Sequence, residues 1–597
     1  MADSKSSKTG DETHKQVSVA EFFEKNRHLL GFNNPAKSLL TSVKEAVDNS
    51  LDACEDNNIL PEIMVQITEI KAGRFKLLVE DNGPGINKKH LLSAFGKLLY
   101  GSKFQTMGGK QGRGQQGIGI SSVILYGQLT TGKPAVLIAK TKSESQAHMY
   151  VMHIDVKKNE PEIVSDEEFD WGEKDCGIRI AVEMEAKYVE HKQSVLEYIK
   201  QTAIVNPHAK ITYISPGGEK LEFPRVTDKL PVKSILIKPH PRGIELGVLK
   251  RMLKITAART VKSFLTKEFD KVGGGSADQM IKIANNAIED ENKTLSENQK
   301  IGDINPQFSP KLITPEQTEK ILLGMQNAKV SRPSLDCLSP IGGDLLKKSL
   351  ESEFDLEFVH TITRPATVYR GNPFQIEVGI GYGGELDKEG AVKLIRFANK
   401  VPLLYQEGAC TLTGATKKMN WKPYGLSQSS GSLPTGPAII VIHMASVWVP
   451  FTSESKEAVS AYPEILKEAK LALQECARSL QRYVGRKRRA EIEAKKREIF
   501  KAYSKEVAQA VVSLNSDDAY KISKEKFDKE TAIVLKKLLT IAESMYSTGA
   551  DVEELEDVEE KIEKQEKQGA TEEKAEKKLE DEREEEEELM EEEKWLN

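Results

Sequence analysis

Residues 42–56 read SVKEAVDNSLDACED, and the fold turns on how that stretch is wound. At 3.6 residues per turn, Val43, Val47, Leu51 and Cys54 form one apolar stripe. Glu45, Asn49 and Asp52 recur one turn apart on another face, with Asp48 beside them. An ordinary amphipathic helix accounts for that alternation, but two stretches downstream ask for more. Residues 79–86, VEDNGPGI, read as a strand running into a tight glycine–proline turn. Residues 108–119, GGKQGRGQQGIG, make a glycine-rich loop that opens a helix. Helix, strand–turn and glycine loop in this order point to a nucleotide site.

Each element has a chemical reason. A carboxylate at Glu45 can orient and deprotonate a water attacking a phosphate. One turn on, the amide oxygen of Asn49 can ligate Mg²⁺ while phosphate oxygens and waters complete the coordination. Asp81, at a strand end, can accept a hydrogen bond from an exocyclic amine such as that of adenine. Gly83 and Gly85 let the backbone turn sharply beside a flat base. Gly112, Gly114, Gly117 and Gly119 allow backbone N–H groups to approach phosphates, and the helix beginning near Ile118 adds its positive end. A plain turn for DNGPG and a flexible linker for the glycine run are the alternative readings.

Glu45-x-x-x-Asn49, Asp81-x-Gly83-x-Gly85 and Gly112-x-Gly114-x-x-Gly117-x-Gly119 resemble the three nucleotide-binding boxes of the Bergerat-fold ATPases. That superfamily groups gyrase, the histidine kinases, the Hsp90-type chaperones and MutL. LLYGSKF (98–104), RGQQGIGISS (113–122) and LTTGKP (129–134) are further similar to the B-subunit family of DNA topoisomerase VI. The resemblance implies ATP and Mg²⁺ as cofactors, Glu45 as catalytic base and Asn49 as metal ligand. It implies nucleotide contacts at Asn49, Asp81, Gly85, Ser102, Lys103, Gly112, Arg113, Gly114, Gln115, Gln116, Gly117, Ile118 and Gly119. The glycine–threonine pair that the superfamily carries near the end of the domain stands here as Gly177-Ile178, which removes a hydroxyl from the base pocket. NWKPYGL (420–426) resembles the transducer loop whose lysine reaches the terminal phosphate. That makes Lys422 the second catalytic and nucleotide-binding expectation; a solvated loop lysine tethered between two core aromatics is the alternative.

The implied fold class is α+β and multidomain. An N-terminal arm (1–34) either packs on its own domain or, by the resemblance, crosses to a second protomer when ATP binds. A Bergerat-fold α/β sandwich (35–226) follows, then a helix–two-turn–helix insertion (227–306), an α/β transducer (307–455), long helices that bind an A subunit (456–550) and an acidic low-complexity tail (551–597). Strands are expected at 63–70, 75–80, 135–140, 148–156 and 178–184, and helices at 88–100, 118–126 and 194–206. In the insertion, Lys250, Arg251, Lys254, Arg259, Lys262 and Lys267 make a basic face, either a solvated spacer or a DNA contact. The transducer should hold strands near 366–369, 374–380 and 438–449, a helix around 388–393 and an extended segment at 394–404.

Bulk properties narrow the function. Residues 551–597 carry 23 Asp/Glu and 8 Lys/Arg, a balance of −15; against −5 for the whole chain, this leaves +10 on residues 1–550, consistent with contact to a polyanion. Five widely spaced cysteines with no CxxC pair exclude a disulfide framework and a zinc site. The absence of a signal-peptide pattern and of a bilayer-length apolar run predicts a cytoplasmic, nucleoid-associated protein with no membrane contact, of archaeal source by the resemblance. No catalytic-tyrosine domain with an acidic metal site is recognisable. Strand cutting is therefore expected from a topoisomerase VI A subunit in an A2B2 heterotetramer, with double-stranded DNA as substrate and ATP-dependent self-dimerisation as the gate. A histidine kinase would place a phosphoacceptor helix before the ATP domain, where only His14 and His28 occur. Chaperone and mismatch-repair ATPases lack the basic insertion, and a non-catalytic meiotic-type scaffold should have lost Glu45 or Asn49.

Overall fold

The computed structural model describes residues 18–101, 109–114, 117–453, 456–515 and 523–547. Ser102, Lys103, Gln115, Gln116 and the acidic tail lie outside the described residues. Helix α1 (Val19–Lys25) stops at Asn26, and a 3-10 turn over Arg27–Leu30 replaces the rest of the expected arm helix. Helix α2 (Pro35–Asp56) begins well before Ser42 because Asn34 caps it, accepting from the Lys37 N–H at 2.8 Å, with Pro35 in the first turn. Val43, Val47, Leu51 and Cys54 are buried along it, each large aliphatic contributing ~1.5–3 kcal/mol of burial free energy.

An eight-stranded sheet holds this helix. In chain order its strands are β1 (Glu62–Lys71), β2 (Arg74–Asp81), β3 (Ala135–Lys140), β4 (Ala147–Asp155), β5 (Glu160–Phe169), β6 (Gly177–Glu185), β7 (Lys210–Ile214) and β8 (Lys220–Phe223). In space they run β5-β4-β3-β6-β2-β1-β7-β8. Ile63, Val65 and Ile67 on β1 and Phe75, Leu77 and Val79 on β2 alternate into one core. Helices α2, α4 (Gly119–Thr131) and α5 (Val195–Val205) also bury apolar residues there. A shorter helix, α3 (Lys88–Gly96), stops before the expected Tyr100.

The helical module comprises α6 (Leu246–Ile255), α7 (Val261–Glu268), α8 (Gly274–Asn292) and α9 (Pro315–Asn327). Its core joins Phe264, Met280 and Ala284 to Ile321 and Met325 of α9, so the packed module runs past residue 306. Gly324 of α9 lies so close to the backbone of Met280 that a Cβ would overlap its carbonyl oxygen, which lets the two helices touch.

A second sheet contains β9 (Phe358–Thr363), β10 (Thr367–Tyr369), β11 (Asn372–Tyr382), β12 (Lys393–Ala398), β13 (Val401–Pro402) and β14 (Ala438–Ser446). The order is β10-β11-β14-β12-β13, with β9 also on β11. All nine residues of β14 are buried, as a central strand covered on both faces requires. One face meets α11 (Thr411–Lys418) and the first half of α12 (Pro463–Asn515), through Leu412, Ile465, Leu473 and Leu480. The other meets α10 (Gly343–Glu353) and the end of α5, where Ile204 and Val205 join Leu346 and Leu350. The helix expected around 388–393 is absent; the chain bends through 388–390 and then enters β12, with Val392 N–H on the Pro434 carbonyl at 2.9 Å and Gly436 N–H on that of Gly390 at 3.1 Å. All five cysteines are free and buried. Residues from 486 onward form a separate compact unit, containing the rest of α12 and α13 (Lys524–Ser547). Among the described residues no helix is long and apolar enough to cross a membrane.

Candidate functional site

Glu45 and Asn49 sit one turn apart on α2, the first half-buried and the second exposed. Both face the glycine-rich loop. A Cβ on Gly119 would overlap the Glu45 carboxylate, and one on Gly114 would lie 3.6 Å from Asn49 Oδ1. Only glycine therefore lets the start of α4 close on the carboxylate. Ile118 stands at the N-cap of α4 without a side-chain bond, and Gly117 before it turns through φ +62°, so the first N–H groups of the helix receive no cap from that residue's side chain.

Beneath this lies Asp81, at the end of β2. Its Oδ2 accepts from Ser50 Oγ at 2.7 Å, while Oδ1 accepts from the N–H groups of Gly83 at 2.9 Å and Ile178 at 3.2 Å. Burial pushes the Asp81 carboxyl pKa up, with those three donors opposing. Gly177 approaches the Asp81 backbone at φ +143°, and a Cβ there would overlap the Asp81 carbonyl. The hydroxyl missing at residue 178 thus leaves a backbone donor in contact with Asp81. Gly85, at φ +70°, passes equally close to the Lys140 carbonyl.

Arg113 is oriented away from this face. Its guanidinium is buried and donates to Asp52 at 2.8 Å, to Glu55 at 2.6 Å and to Asn206 at 2.5 Å. Burial pushes Glu55 up, but Arg113, Lys400 and a 2.9 Å bond to His208 outweigh it and hold the carboxyl well below its usual range. Asp48, buried beside Glu45, accepts from the Tyr198 hydroxyl at 3.0 Å, and desolvation pushes its pKa up to about 6.

The loop is gripped from outside its own sheet. Gln111 N–H donates to the Cys337 carbonyl at 2.9 Å, and the Gln111 side-chain amide exchanges two bonds with the backbone of Ser339, at 3.0 and 2.7 Å. Asn399 Nδ2 donates to the Gly112 carbonyl at 3.2 Å, and Lys456 Nζ to the Arg113 carbonyl at 2.7 Å. Lys456 is buried, held at φ +53°, and lines a small cavity of about 30 Å³ together with Glu45, Lys44, Tyr198 and Tyr405.

Lys422 does not reach this place. It lies exposed in a 3-10 turn, and its ammonium has no hydrogen bond or ion pair among the described residues. Trp421 is fully buried and bonded to the Thr416 carbonyl at 2.8 Å, so the aromatic anchor exists. A Cβ on Gly425 of the same turn would meet Val484 at 2.8 Å. Val484 lies about 30 Å along α12 from its start, at 1.5 Å per residue, whereas Lys456 just precedes that start. Lys422 thus stands away from Glu45, and the side chains that do reach the glycine-rich loop or the Glu45 cavity, Lys456, Gln111 and Asn399, are not among those expected from the sequence. Lys456 stands in SESKEA, where nothing marks it out locally; Ser50, next to Asn49, could have been found from the helix phase.

Residues 37–171 match the family described as histidine kinase-, DNA gyrase B- and HSP90-like ATPase, and residues 333–496 match the topoisomerase VI B-subunit transducer. The B subunit of type 2 DNA topoisomerase 6 from Archaeoglobus fulgidus is 50% identical over 477 residues, covering 80% of this chain and 75% of its own. Its namesake in Methanococcoides burtonii is 48% identical over 471 residues, covering 79% and 72%. That of Natronomonas pharaonis is 34% identical over 656 residues, covering 82% of each.

Proposed function

The chain belongs to the topoisomerase VI B-subunit family, and from that premise we propose how its residues drive the reaction and which of them meet ATP. It acts as the ATP-driven subunit of a type IIB DNA topoisomerase. Glu45 takes the proton of the attacking water, and Lys456 compensates the charge that develops on the terminal phosphate. The observation that carries this reading is a small cavity lined by both Glu45 and Lys456, with Glu45 against the start of α4. Asp81 reads the exocyclic amine of adenine, oriented by Ser50, Gly83 and Ile178. Backbone N–H groups from Gly112 and Arg113 and from Gly117 to Gly119 cradle the phosphates, with Ser102, Lys103, Gln115 and Gln116 as further contacts, while the Gly114 N–H faces the Asp52 carboxylate at 3.4 Å. The Arg113 side chain serves the loop through Asp52 and Glu55 rather than through phosphate.

The donor set fits Mg²⁺. The Asn49 oxygen is exposed and faces the loop, and among the described residues no cluster of three or more His, Cys, Asp or Glu offers an all-protein cage. Asn49 would hold the ion, which would supply charge neutralisation to the phosphates when bound. An A subunit that cuts DNA is the implied partner. The A2B2 stoichiometry, the crossing of the N-terminal arm between protomers and a cytoplasmic, archaeal setting belong to the same reading, supported by the archaeal relatives. Exchange of Lys456 between the Arg113 carbonyl and the terminal phosphate would couple the transducer to the state of the nucleotide.

Sedimentation of the full chain with a non-hydrolysable ATP analogue and Mg²⁺ tests the gate. The analogue should shift monomer to dimer, and removing residues 1–34 should weaken the shift. A profile indifferent to nucleotide overturns the gating role. Asp81→Asn should abolish the shift by weakening adenine binding, seen by calorimetry; wild-type affinity in that variant would mean another group reads the base.

A further inference from the structure

A cavity of about 710 Å³ lies behind the glycine-rich loop, and none of Glu45, Asn49, Asp81, Gly85 or Gly119 lines it. Its walls come from the end of α2, from residues 109–114, from the linker 231–243 and from the transducer at 371–373, 399–400 and 447–448. Gly112, Arg113 and Gly114 line it on the side of the loop toward Asp52 and Glu55, whereas Gly114 and Gly119 approach Asn49 and Glu45 on the nucleotide side. The volume is in the range of pockets that hold a drug-sized molecule, roughly 300–1,000 Å³.

The wall has a sign. Lys110, Arg113, Lys233, Lys238 and Lys400 face three carboxylates, Asp52, Glu55 and Asp56, and those carboxylates are already engaged. Arg113 holds the first two, and Lys110 holds Asp56 at 2.9 Å. The Lys400 ammonium is buried and donates to Ser339 Oγ at 3.0 Å, and Arg113 Nε is buried with no hydrogen-bond partner among the described residues. The same cavity is lined by exposed apolar side chains, Val232, Leu236 and the indole of Trp448. Positive charge in excess of its partners beside an exposed indole is the chemistry that receives a flat ring carrying an acid group.

We propose that this cavity is a second ligand site, separate from the ATP pocket, that binds an aromatic anion: a ring on Trp448 and a carboxylate, sulfonate or phosphate toward Lys238 and Lys400. An occupant would touch the ATP-domain loop, the linker and the transducer together, and so bears on their relative movement.

The probe is 8-anilinonaphthalene-1-sulfonate, an aromatic sulfonate that fluoresces on binding, titrated into the full chain without nucleotide. One saturable site is expected, unchanged in Asp81→Asn and weakened at least about tenfold (1.4 kcal/mol) by Trp448→Ala and by Lys238→Glu. Both latter side chains are exposed, so these variants should fold and keep calorimetric affinity for the ATP analogue. Loss of probe binding in Asp81→Asn would place the probe in the nucleotide pocket and overturn the proposal. Wild-type probe affinity in both Trp448→Ala and Lys238→Glu would overturn it as well. Because analogue binding is measured separately, failure of the nucleotide reading would be visible on its own.

Discussion

Lys456 Nζ lies 2.7 Å from the carbonyl oxygen of Arg113, so a lysine of the transducer is bonded directly to the glycine-rich loop of the ATPase fold. A buried ammonium with one backbone acceptor is held close to its task yet free to take a stronger anionic partner. The relationship separates the two lysines that sequence and structure put forward.

Lys456→Ala should lower ATPase kcat by ~10²–10³, the usual loss for one oriented donor to developing charge. Lys422→Ala should stay within about twofold, since its ammonium lies out of reach along α12. Lys456→Arg should restore little, because the planar fork does not replace a compact ammonium in a small cavity. Steady-state turnover beside calorimetric affinity decides; equal losses in the two alanine variants would remove Lys456 from the mechanism.

Glu45→Gln should keep affinity for the ATP analogue and lose ~10²–10⁴ in turnover. Gly119→Ala is the sharper experiment, because it leaves the carboxylate in the chain and displaces it: the new methyl overlaps the Glu45 oxygens. Its turnover should fall to a similar extent, and wild-type turnover in Gly119→Ala would contradict the placement of the base.

Arg113→Met takes the guanidinium from buried Asp52 and from Glu55, leaving His208 on Glu55 at 2.9 Å, and should cost ~3–5 kcal/mol of stability, read as a lower denaturation midpoint. If the midpoint is unchanged while KM for ATP rises, the guanidinium is a phosphate ligand after all.

The transducer core should lose stability in acid through Glu377. Fully buried, it accepts from the Ile341 and Gly342 N–H groups and Thr363 Oγ1, each at 2.8 Å, and pairs with His443 at 2.7 Å. Burial pushes its pKa up, but His443 and the other donors outweigh it, and the folded value falls below the ordinary 4.5. A depressed carboxylate contributes stability that is present above the unfolded pKa and lost as pH falls through the folded one. Glu377→Gln should therefore be destabilised by ~3 kcal/mol at pH 7, with a shallower loss below about pH 4.5. Parallel wild-type and variant melting curves between pH 7 and pH 3 would contradict the assignment.

What could be read from residues alone was whatever depends on local spacing. The α2 face, the Asp81 turn and the strands at 135–140 and 178–184 follow from periodicity and glycine placement. β5 did not, because a strand on the sheet edge needs no buried face, and Glu160–Phe169 alternates only weakly. The segment 388–393 looks helical by composition but is fixed by backbone bonds to residues 434–436, dozens of positions away in the chain. Lys422 had aromatic neighbours that drew attention; Lys456 had only a tertiary contact, more than three hundred residues distant in the chain, which no local pattern encodes.

The paired bonds between Gln111 and Ser339 carry a further consequence. One amide gives and receives along the same stretch of backbone, at 3.0 and 2.7 Å, so sliding the segment in either direction breaks both bonds together. Each buried group left unsatisfied costs about 1–3 kcal/mol. The joint between loop and transducer therefore has a yield point: it resists small displacements and then lets go in one step, as a latch does and a spring does not.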